Sequence, residues 1–210
     1  DWSSDVCSSD LRKYGFHGTS YRYICRELSR ILGTDQYKAI VCHLGSGASI
    51  AAIKDGKCVD TSMGFAPVSG IMMGTRSGDI DPAIIPYIME KEDKSVEDVM
   101  NDLNKKSGFL GVSGVSNDFR DIFAGVVEGN ERCKLAFDKF IRTVVSYIGS
   151  YYVLLGGVDT IVFTAGVGEN ASEARGPIME KLACLGLKID AEKNSIRGEE
   201  TKLTTDDSTI

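Results

Sequence analysis

The chain has 210 residues, 42% of them hydrophobic and 26% charged, a balance typical of a soluble globular protein with a sizeable core. Its formal net charge of −6 argues against nucleic acid or an anionic membrane as the main partner. No apolar run has the length of a membrane span and no signal-peptide pattern is present. Six scattered cysteines without a Cys-x-x-Cys pair, together with two histidines, favour reduced thiols over a metal site, so we expect a cytoplasmic protein.

Residues 1–11 differ from the rest of the chain. They contain two near-repeats, Ser-Ser-Asp-Val and Ser-Ser-Asp-Leu, and have no hydrophobic period. We interpret them as a non-native segment, introduced by cloning or by a sequencing error, and we exclude them from the fold prediction. The remaining 12–210 are treated as the native part of the chain.

The first predicted elements are one helix and a three-stranded meander. Thr19 or Ser20 is a suitable N-cap for the helix, and Gly33 ends it. Its apolar face is predicted from helical spacing to consist of Ile24, Leu28, Ile31 and Leu32. Strands are predicted over 39–44, 48–54 and 57–61, with a glycine-rich bend after the first and an Asp-Gly hairpin turn after the second.

The later elements alternate between helices and irregular stretches. We predict a long irregular loop over 62–81 and a second loop over 108–120. Irregular loops as long as the first are uncommon inside a compact domain and are usually functional. Helices are predicted from Pro82 to about Lys91, after a Ser95/Asp98 capping box, over 131–155, and from Ser172 to Gly186. A short strand is predicted over 159–163, and the tail after Asp190 is predicted to be irregular. This order predicts an α/β domain with a mixed sheet.

Three glycine-rich bends follow apolar segments, at 45–47, 74–78 and 166–168. Glycines leave backbone N–H groups unshielded, and a helix N-terminus beside them favours an anion, so the three bends together favour a phosphate or nucleotide site. Gly-x4-Gly-Lys-[Ser/Thr] occurs nowhere, which excludes a P-loop, and neither Gly-x-Gly is followed by the third glycine of a Rossmann site.

Several polar side chains near these bends have two interpretations. Arg76 lies in a glycine-rich bend and could neutralise a phosphoryl group, or it could pair with Asp79 or Asp81. His17 and His43 could donate to the same charge, or be half-buried histidines bonded within the fold. The segment 118–120 could hold a ribose and stack on a base, or form a helix N-cap followed by a surface arginine. The residues alone leave these alternatives open.

Six segments of this chain resemble the acetate kinase (acetokinase) family in order and spacing. They are Tyr-Gly-Phe-His-Gly-Thr-Ser (14–20), Cys-His-Leu-Gly-Ser-Gly-Ala-Ser-Ile (42–50), Asp-Thr-Ser-Met-Gly (60–64), Met-Gly-Thr-Arg-Ser-Gly-Asp-Ile-Asp-Pro (73–82), Ser-Gly-Val-Ser-Asn-Asp-Phe-Arg-Asp (113–121) and Phe-Thr-Ala-Gly-Val-Gly-Glu-Asn (163–170). The resemblance covers about 12–210. It implies an actin-like ATPase (ribonuclease H-like) fold, with nucleotide bound in a cleft between two related domains.

The resemblance also implies a reaction and the residues that carry it. The reaction is the reversible, Mg²⁺-dependent transfer of the γ-phosphoryl group of ATP to acetate, which gives acetyl phosphate and ADP. His17 and Arg76 match the residues that stabilise the transition state. Nucleotide contacts are implied for three segments, namely His43, Leu44, Gly45, Ser46 and Gly47; Asp118, Phe119 and Arg120; and Gly166, Val167, Gly168, Glu169 and Asn170.

The resemblance further implies that 12–210 are roughly the C-terminal half of the family's length, mostly its C-terminal actin-like ATPase domain, incomplete at both ends. The ligands of Mg²⁺ are expected outside this half, and none is assigned to this chain. We therefore expect the fragment alone to be inactive, and the intact protein to be a homodimer that binds nucleotide and a small carboxylate. Two departures from the family pattern are Ser46, where asparagine is usual, and Tyr21, where histidine is usual.

Three alternatives are kept beside an acetate kinase. A propionate kinase is the nearest, because the acyl pocket depends partly on residues outside this half. A non-catalytic nucleotide-binding module of the same fold belongs to another functional class. A Rossmann-type oxidoreductase is the weakest, since its glycine pattern is incomplete.

Overall fold

The computed structural model describes residues 12–210, so the predicted non-native segment 1–11 lies outside the described residues. Four strands form one sheet, with helices on both of its faces. The helices are α1 (Gly18–Leu32), α2 (Ile84–Glu92), α3 (Val96–Lys105), α4 (Gly108–Ser113), α5 (Phe119–Val127), α6 (Glu131–Leu155), α7 (Ala165–Asn170), α8 (Ser172–Lys181) and α9 (Ala191–Asn194). The strands are β1 (Lys38–Leu44), β2 (Ala48–Lys54), β3 (Lys57–Thr61) and β4 (Thr160–Thr164).

The sheet is mixed, as the sequence predicts. Its strand order is β3-β2-β1-β4, with antiparallel pairing within the meander and parallel pairing between β1 and β4. The predicted hairpin turn is confirmed, because Asp55 and Gly56 both adopt positive φ, at 51° and 70°. No residue between β3 and α2 belongs to a helix or strand, which confirms the long irregular loop.

Strand β1 is buried on both faces, which explains its unbroken apolar sequence. On one face Ala39 and Val41 pack with Tyr21 and Leu28 of α1. On the other face Ile40, Cys42 and Leu44 join a larger core built with α6 and α8. The sheet is therefore the middle layer of three. Among residues 12–210, no helix combines the length and the apolar character that a membrane crossing requires.

Helix α6 has the predicted bounds and organises the larger core. The Asn130 side chain accepts hydrogen bonds from the N–H groups of Arg132 and Cys133, and Gly156 ends the helix with φ 65°. Phe140 is buried, and its ring centroid lies 5.2 Å from that of Phe109. Burying a side chain of this size contributes about 2–3 kcal/mol to stability.

The predicted start and apolar face of α1 are wrong in part, while its predicted end at Gly33 is confirmed. The N-cap is His17, because the hydroxyl of Ser20 contacts the His43 ring instead of a free N–H group of the helix. Tyr21 is buried, whereas Ile31 and Leu32 are 51% and 40% exposed. The face of α1 that touches the sheet is set by where the helix docks, and helical spacing alone did not locate it.

In helix α3 the predicted cap is confirmed, but the buried residues are not those that helical spacing alone would select. The predicted capping box between Ser95 and Asp98 is present. Helical spacing puts Val96, Met100 and Leu103 on one face, but of these only Leu103 is buried, together with Val99. Val96 and Met100, at 55% and 42% exposed, point away from the core.

The predicted loop over 108–120 is wrong, because it contains α4 and the start of α5. Helix α4 forms despite its glycines because the loop that carries Arg76 anchors its first turn. The N–H of Phe109 donates to the Met73 carbonyl at 2.9 Å, and that of Leu110 donates to the Gly74 carbonyl at 3.0 Å. Two smaller corrections concern 165–170, which form α7 and not an open bend, and the tail, where Asp190 caps α9.

Gly108 should be intolerant of any side chain. Its φ is +62°, and a Cβ there would overlap the Met73 carbonyl oxygen and lie 2.9 Å from the Arg76 carbonyl oxygen. We expect Gly108→Ala to lower the free energy of unfolding by more than about 3 kcal/mol, measured by urea denaturation. Gly149→Ala, in the open middle of α6, is the matched control and should be neutral or stabilising by up to ~1 kcal/mol. Equal effects of the two substitutions would contradict the close packing of α4 on this loop.

Candidate functional site

The carboxyl ends of β1 and β4 meet at one edge of the sheet. Because these strands are parallel, with His43 paired to Thr164, the segments that follow them leave the sheet side by side. A Cβ built on Gly45 would lie 3.6 Å from the Cβ of Ala165. The first and third glycine-rich segments are therefore neighbours, although β1 and β4 are far apart in the chain.

The second glycine-rich segment reaches the same edge. The N–H of Gly74 donates to the Ser46 carbonyl at 3.2 Å, which ties the second segment to the first. A Cβ on Gly74 would lie 2.9 Å from the carbonyl oxygen of Asn117, so the residues that precede α5 also lie here. All three glycine-rich segments, and the start of α5, therefore lie at one edge of the sheet.

Gly47 lies between the two side chains predicted to stabilise negative charge. A Cβ built on Gly47 would be 3.5 Å from His17 Nε2 and 3.6 Å from Arg76 Nη1. These are ordinary contact distances, so the missing side chain leaves room for an atom that touches both nitrogens. The space over Gly47 is the centre of the candidate site, which is suited to an anion.

The carboxylate pairing considered for Arg76 is wrong. Its Nη1 donates to the Pro67 carbonyl at 3.0 Å and lies 3.5 Å from the Met73 sulfur. Asp79 is engaged elsewhere, because its two oxygens accept from the Gly70 N–H and from the Tyr147 hydroxyl. Within residues 12–210 the Nε and Nη2 groups of Arg76 donate to no protein atom, so they are available to a ligand.

His17 and His43 form a stacked pair under this space. Their ring centroids are 4.0 Å apart and their planes differ by 20°. His17 Nδ1 lies 2.8 Å from the hydroxyl of Ser49, which also contacts the Tyr21 hydroxyl. His43 Nδ1 lies 3.0 Å from the hydroxyl of Ser20. Each ring is thus held through Nδ1.

Both imidazoles are neutral at neutral pH. Burial, the neighbouring His43 ring and the Arg76 guanidinium together lower the pKa of His17 to about 4. Burial also lowers the pKa of His43, against the opposing effect of the Glu169 carboxylate. A neutral His17 donates from at most one ring nitrogen, so its tautomer decides whether Nε2 donates or accepts at the site.

The segment 118–120 adopts the local structure considered for it, a helix N-cap followed by a surface arginine. The Asp118 carboxylate accepts from the Arg120 N–H at 2.9 Å and pairs with its guanidinium, which lowers the pKa of Asp118 to about 2. The Arg120 side chain is 86% exposed. Phe119 is only 4% exposed and packs among core aromatic rings, so its ring is not the predicted stacking surface for a base.

The segment 166–170 is part of α7 and is stabilised from within. Glu169 accepts from the Thr164 hydroxyl and from the Ala165 N–H, both at 3.0 Å, so its carboxylate caps the first turn. Asn170 donates to the Gly166 carbonyl at 3.0 Å. Gly168 permits close packing on the strands, because a Cβ there would lie 3.2 Å from the Phe163 carbonyl carbon.

Two further cavities lie away from this edge. One, of about 470 Å³, is beside the opposite ends of β1 and β4 and is lined by Lys38, Asp159 and Ile210 among others. The other, of about 460 Å³, lies against α1 and includes Gly18, Arg22 and Cys25. We place the candidate site at the glycine-rich edge, because that is where donor groups with no protein acceptor converge.

Comparisons with known proteins agree with the resemblance. A profile described as the acetokinase family matches residues 4–210, so the match begins within the segment 1–11. The chain belongs to the acetokinase family. It is 55% identical over 200 residues to an acetate kinase of Aster yellows witches'-broom phytoplasma, and 52% identical over 202 residues to one of Clostridium novyi. These alignments cover 95% of this chain but 49% and 50% of the relatives, so the chain spans about half their length.

Solved structures of this family share the fold. An acetate kinase of Porphyromonas gingivalis matches with a TM-score of 0.92 and 44% identity, over 95% of this chain and 51% of that one. A propionate kinase of Francisella tularensis matches with a TM-score of 0.89, also at 44% identity and with the same coverage. The described residues therefore have the actin-like ATPase type of α/β fold found in this family, as predicted.

Sequence reasoning gave no site role to three polar residues that hold the candidate site together. They are Ser20, Ser49 and Arg175. Ser49 had a usable signal, because it lies opposite His43 in a hairpin centred on Ser46. No local sequence signal indicates the role of Arg175. Its side chain is 2% exposed and reaches from α8 to donate to the carbonyls of Gly168 and Glu169 at 2.9 and 2.6 Å.

The lowered pKa of His17 should make stability depend on pH. The unfolded chain, with the ordinary pKa of 6.5, binds this proton more readily than the folded chain, whose pKa is about 4. The contribution of His17 to stability is thus complete above about pH 6.5, and it is lost as the pH falls toward and through 4. For this half-buried ring we expect ~1 kcal/mol to be lost between pH 7 and pH 5.

Urea denaturation at the two pH values tests this expectation. His17→Gln should lose about 1 kcal/mol less than the unsubstituted chain between pH 7 and pH 5, because glutamine does not titrate. If both proteins lose the same free energy of unfolding, the pKa of His17 is not lowered in the folded state.

Proposed function

We propose that residues 12–210 form the nucleotide-binding part of an acyl phosphotransferase, which transfers the γ-phosphoryl group of ATP to acetate and yields acetyl phosphate and ADP. The observation that carries this proposal is the space over Gly47, flanked by His17 Nε2 and Arg76 Nη1. Family membership and the acetate kinases among the relatives support the same activity. The activity is a proposal because this chain spans about half of those relatives.

The chemistry of the site suits phosphoryl transfer. Such a reaction needs positioning of the phosphates and neutralisation of the charge that develops on the equatorial oxygens. Arg76 supplies a fixed positive charge whose Nε and Nη2 donate to no atom of the described chain. The His17 ring is neutral at pH 7, so it has a single N–H group that can donate to a phosphate oxygen. We therefore assign transition-state stabilisation to His17 and Arg76.

We propose that nucleotide contacts come from the three segments predicted from sequence, which are 43–47, 118–120 and 166–170. Ser46 is exposed at the bend, and its carbonyl accepts a hydrogen bond from the Gly74 N–H. Arg120 offers an exposed guanidinium plane for a base. Leu44 and Phe119 are buried, so any contact from them is a backbone contact.

Mg²⁺ dependence remains a prediction from the family resemblance. Within the described chain, 12–210, no group of three or more His, Cys, Asp or Glu side chains is arranged to hold a metal ion. The homodimer implied by the resemblance is likewise a prediction, which sedimentation of the intact protein would test.

Propionate is the second candidate for the acyl acceptor. It is favoured by one observation, the propionate kinase of Francisella tularensis, whose structure matches this chain as closely in identity and coverage as that of an acetate kinase does. The fold of these residues therefore does not distinguish the two acids.

Gly47→Ala tests nucleotide binding directly. The added methyl group makes only ordinary contacts with His17 and Arg76 and φ is not positive, so the fold should be retained. Because the methyl group occupies the proposed phosphate position, we expect the Kd for ADP to rise at least about tenfold, measured by calorimetry. Gly149→Ala is the control and should bind as the unsubstituted chain does. If Gly47→Ala binds ADP with an unchanged Kd, no phosphate of the nucleotide lies over Gly47.

Arg76→Ala separates a kinase from a non-catalytic nucleotide-binding module. In a full-length protein that contains this chain, we expect kcat to fall roughly 10³-fold with a small change in the KM for ATP, because the charge acts mainly in the transition state. Acyl phosphate is trapped as hydroxamate, with acetate and propionate compared side by side. The 210 residues alone, assayed in parallel, are expected to give no acyl phosphate. If the full-length Arg76→Ala variant retains its kcat, the catalytic assignment of Arg76 is wrong.

A further inference from the structure

We propose that Tyr21 and Ser49 are positioning residues that hold His17 in the tautomer that carries its proton on Nε2, so that this ring donates at the anion site. The inference rests on the proposed function for the identity of the anion, but not for the tautomer itself. It extends the role of His17 to two residues to which neither the sequence patterns nor the comparisons give a function.

The three groups form one chain of hydrogen bonds. Ser49 is completely buried on β2, and its hydroxyl oxygen lies 2.8 Å from His17 Nδ1. The hydroxyl of Tyr21, which is 5% exposed, contacts the same oxygen. Within the described residues, neither hydroxyl has another protein partner. The Ser49 hydroxyl is therefore shared between a phenol and an imidazole.

Counting protons leaves one arrangement in which both buried hydroxyl protons are bonded. Tyr21 and Ser49 each carry one hydroxyl proton, and the neutral ring carries one N–H. If His17 Nδ1 donated to Ser49, either the Tyr21 or the Ser49 proton would be buried without an acceptor, which costs about 1–3 kcal/mol. If Tyr21 donates to Ser49 and Ser49 donates to His17 Nδ1, both hydroxyl protons are bonded. The imidazole proton is then on Nε2.

The protonation states agree with this arrangement. Burial raises the pKa of the Tyr21 hydroxyl, which keeps it protonated and able to donate. Burial, together with the neighbouring His43 and Arg76, keeps the His17 ring neutral, so that only one of its nitrogens carries a proton. The direction of donation, from phenol to serine to imidazole, follows from the number of protons and of hydrogen-bond partners.

The tautomer decides the sign of the interaction at the site. Nε2 faces the space over Gly47, where Arg76 Nη1 also points. An Nε2–H group is attracted to an anion there, whereas an Nε2 lone pair would repel it. The buried pair Tyr21–Ser49 therefore acts on the anion only through His17. A phenol carries its proton on a single atom, so Tyr21 could accept from Ser49 only by leaving its own hydroxyl proton without an acceptor.

The chain contains a matched control for this network. Ser20 contacts His43 Nδ1 at 3.0 Å in the same way that Ser49 contacts His17, and the two rings are stacked. Ser20→Ala therefore removes an equivalent serine–histidine hydrogen bond from the neighbouring ring. It should alter the signals of His43 and leave the tautomer of His17 unchanged.

Nitrogen-15 spectra of the imidazoles test the proposal without any catalysis. The chain has two histidines, so His17→Asn assigns the signals. At pH 7 we expect the unsubstituted chain to show His17 with protonated Nε2 and unprotonated Nδ1. In Ser49→Ala the shifts of both nitrogens should move toward each other, as the tautomers mix. Tyr21→Phe should produce a smaller change in the same direction, and Ser49→Thr, which keeps a hydroxyl, should restore the original shifts.

Several outcomes would overturn the proposal. They are a proton on Nδ1 of His17 in the unsubstituted chain, unchanged His17 shifts in Ser49→Ala, or an equal response of His17 to Ser20→Ala. Addition of ADP separates this proposal from the proposed function. If the Nε2–H tautomer and its dependence on Ser49 are observed but ADP moves no His17 signal, the tautomer inference stands and the phosphate site over Gly47 is rejected.

Discussion

The parallel pairing of β1 with β4 is the contact on which the candidate site depends. It brings the bend after Leu44 and the first turn of α7 to the same edge of the sheet, although the long irregular loop and most of the helices separate them in sequence. Parallel strands present their carboxyl ends together, and that is where open α/β sheets bind ligands. A slip of one residue would turn His43 to the opposite face and away from Ser20.

Helix α1 contacts one face of the sheet through an apolar part and a polar part. Leu28 packs against apolar residues of β1 and β2, which stabilises the layer. About two and three turns earlier, toward the start of α1, Tyr21 and His17 are both hydrogen-bonded to the hydroxyl of Ser49 on β2. Buried polar groups are costly unless each is paired, so this network is stable only in the orientation that pairs them. The docking of α1 therefore positions the His17 ring as well as closing the core.

The site is made largely of backbone and of two side chains, His17 and Arg76, which lie on either side of Gly47. Gly45, Gly47 and Gly74 let the segments approach one another, and Gly108 lets α4 pack under the loop that carries Arg76. Structures of an acetate kinase and of a propionate kinase share the fold of these residues, so the fold does not by itself select an acyl group.

Much of this architecture was predictable because the signals are local. The bounds of α6, the turn at 55–56 and the capping box at Ser95 follow from spacing and from turn or cap chemistry within a few residues. Other features were predicted wrongly for one reason: they depend on a partner far away in the sequence. Base stacking by the 118–120 segment is not available to Phe119, because its ring packs between rings of α4 and α6, and the aspartate pairing considered for Arg76 is absent, because Asp79 bonds Tyr147.

The sequence by itself determined the mixed sheet, the positions of the three glycine-rich segments and the residue types that can neutralise an anion, because each is written in short-range patterns. Only the tertiary structure decided that these segments share one edge, that Arg76 keeps donors available and that Ser49 links Tyr21 to His17. Hydrogen-bond partners and proton positions depend on which elements pack against each other, and no local pattern in the chain specifies that packing.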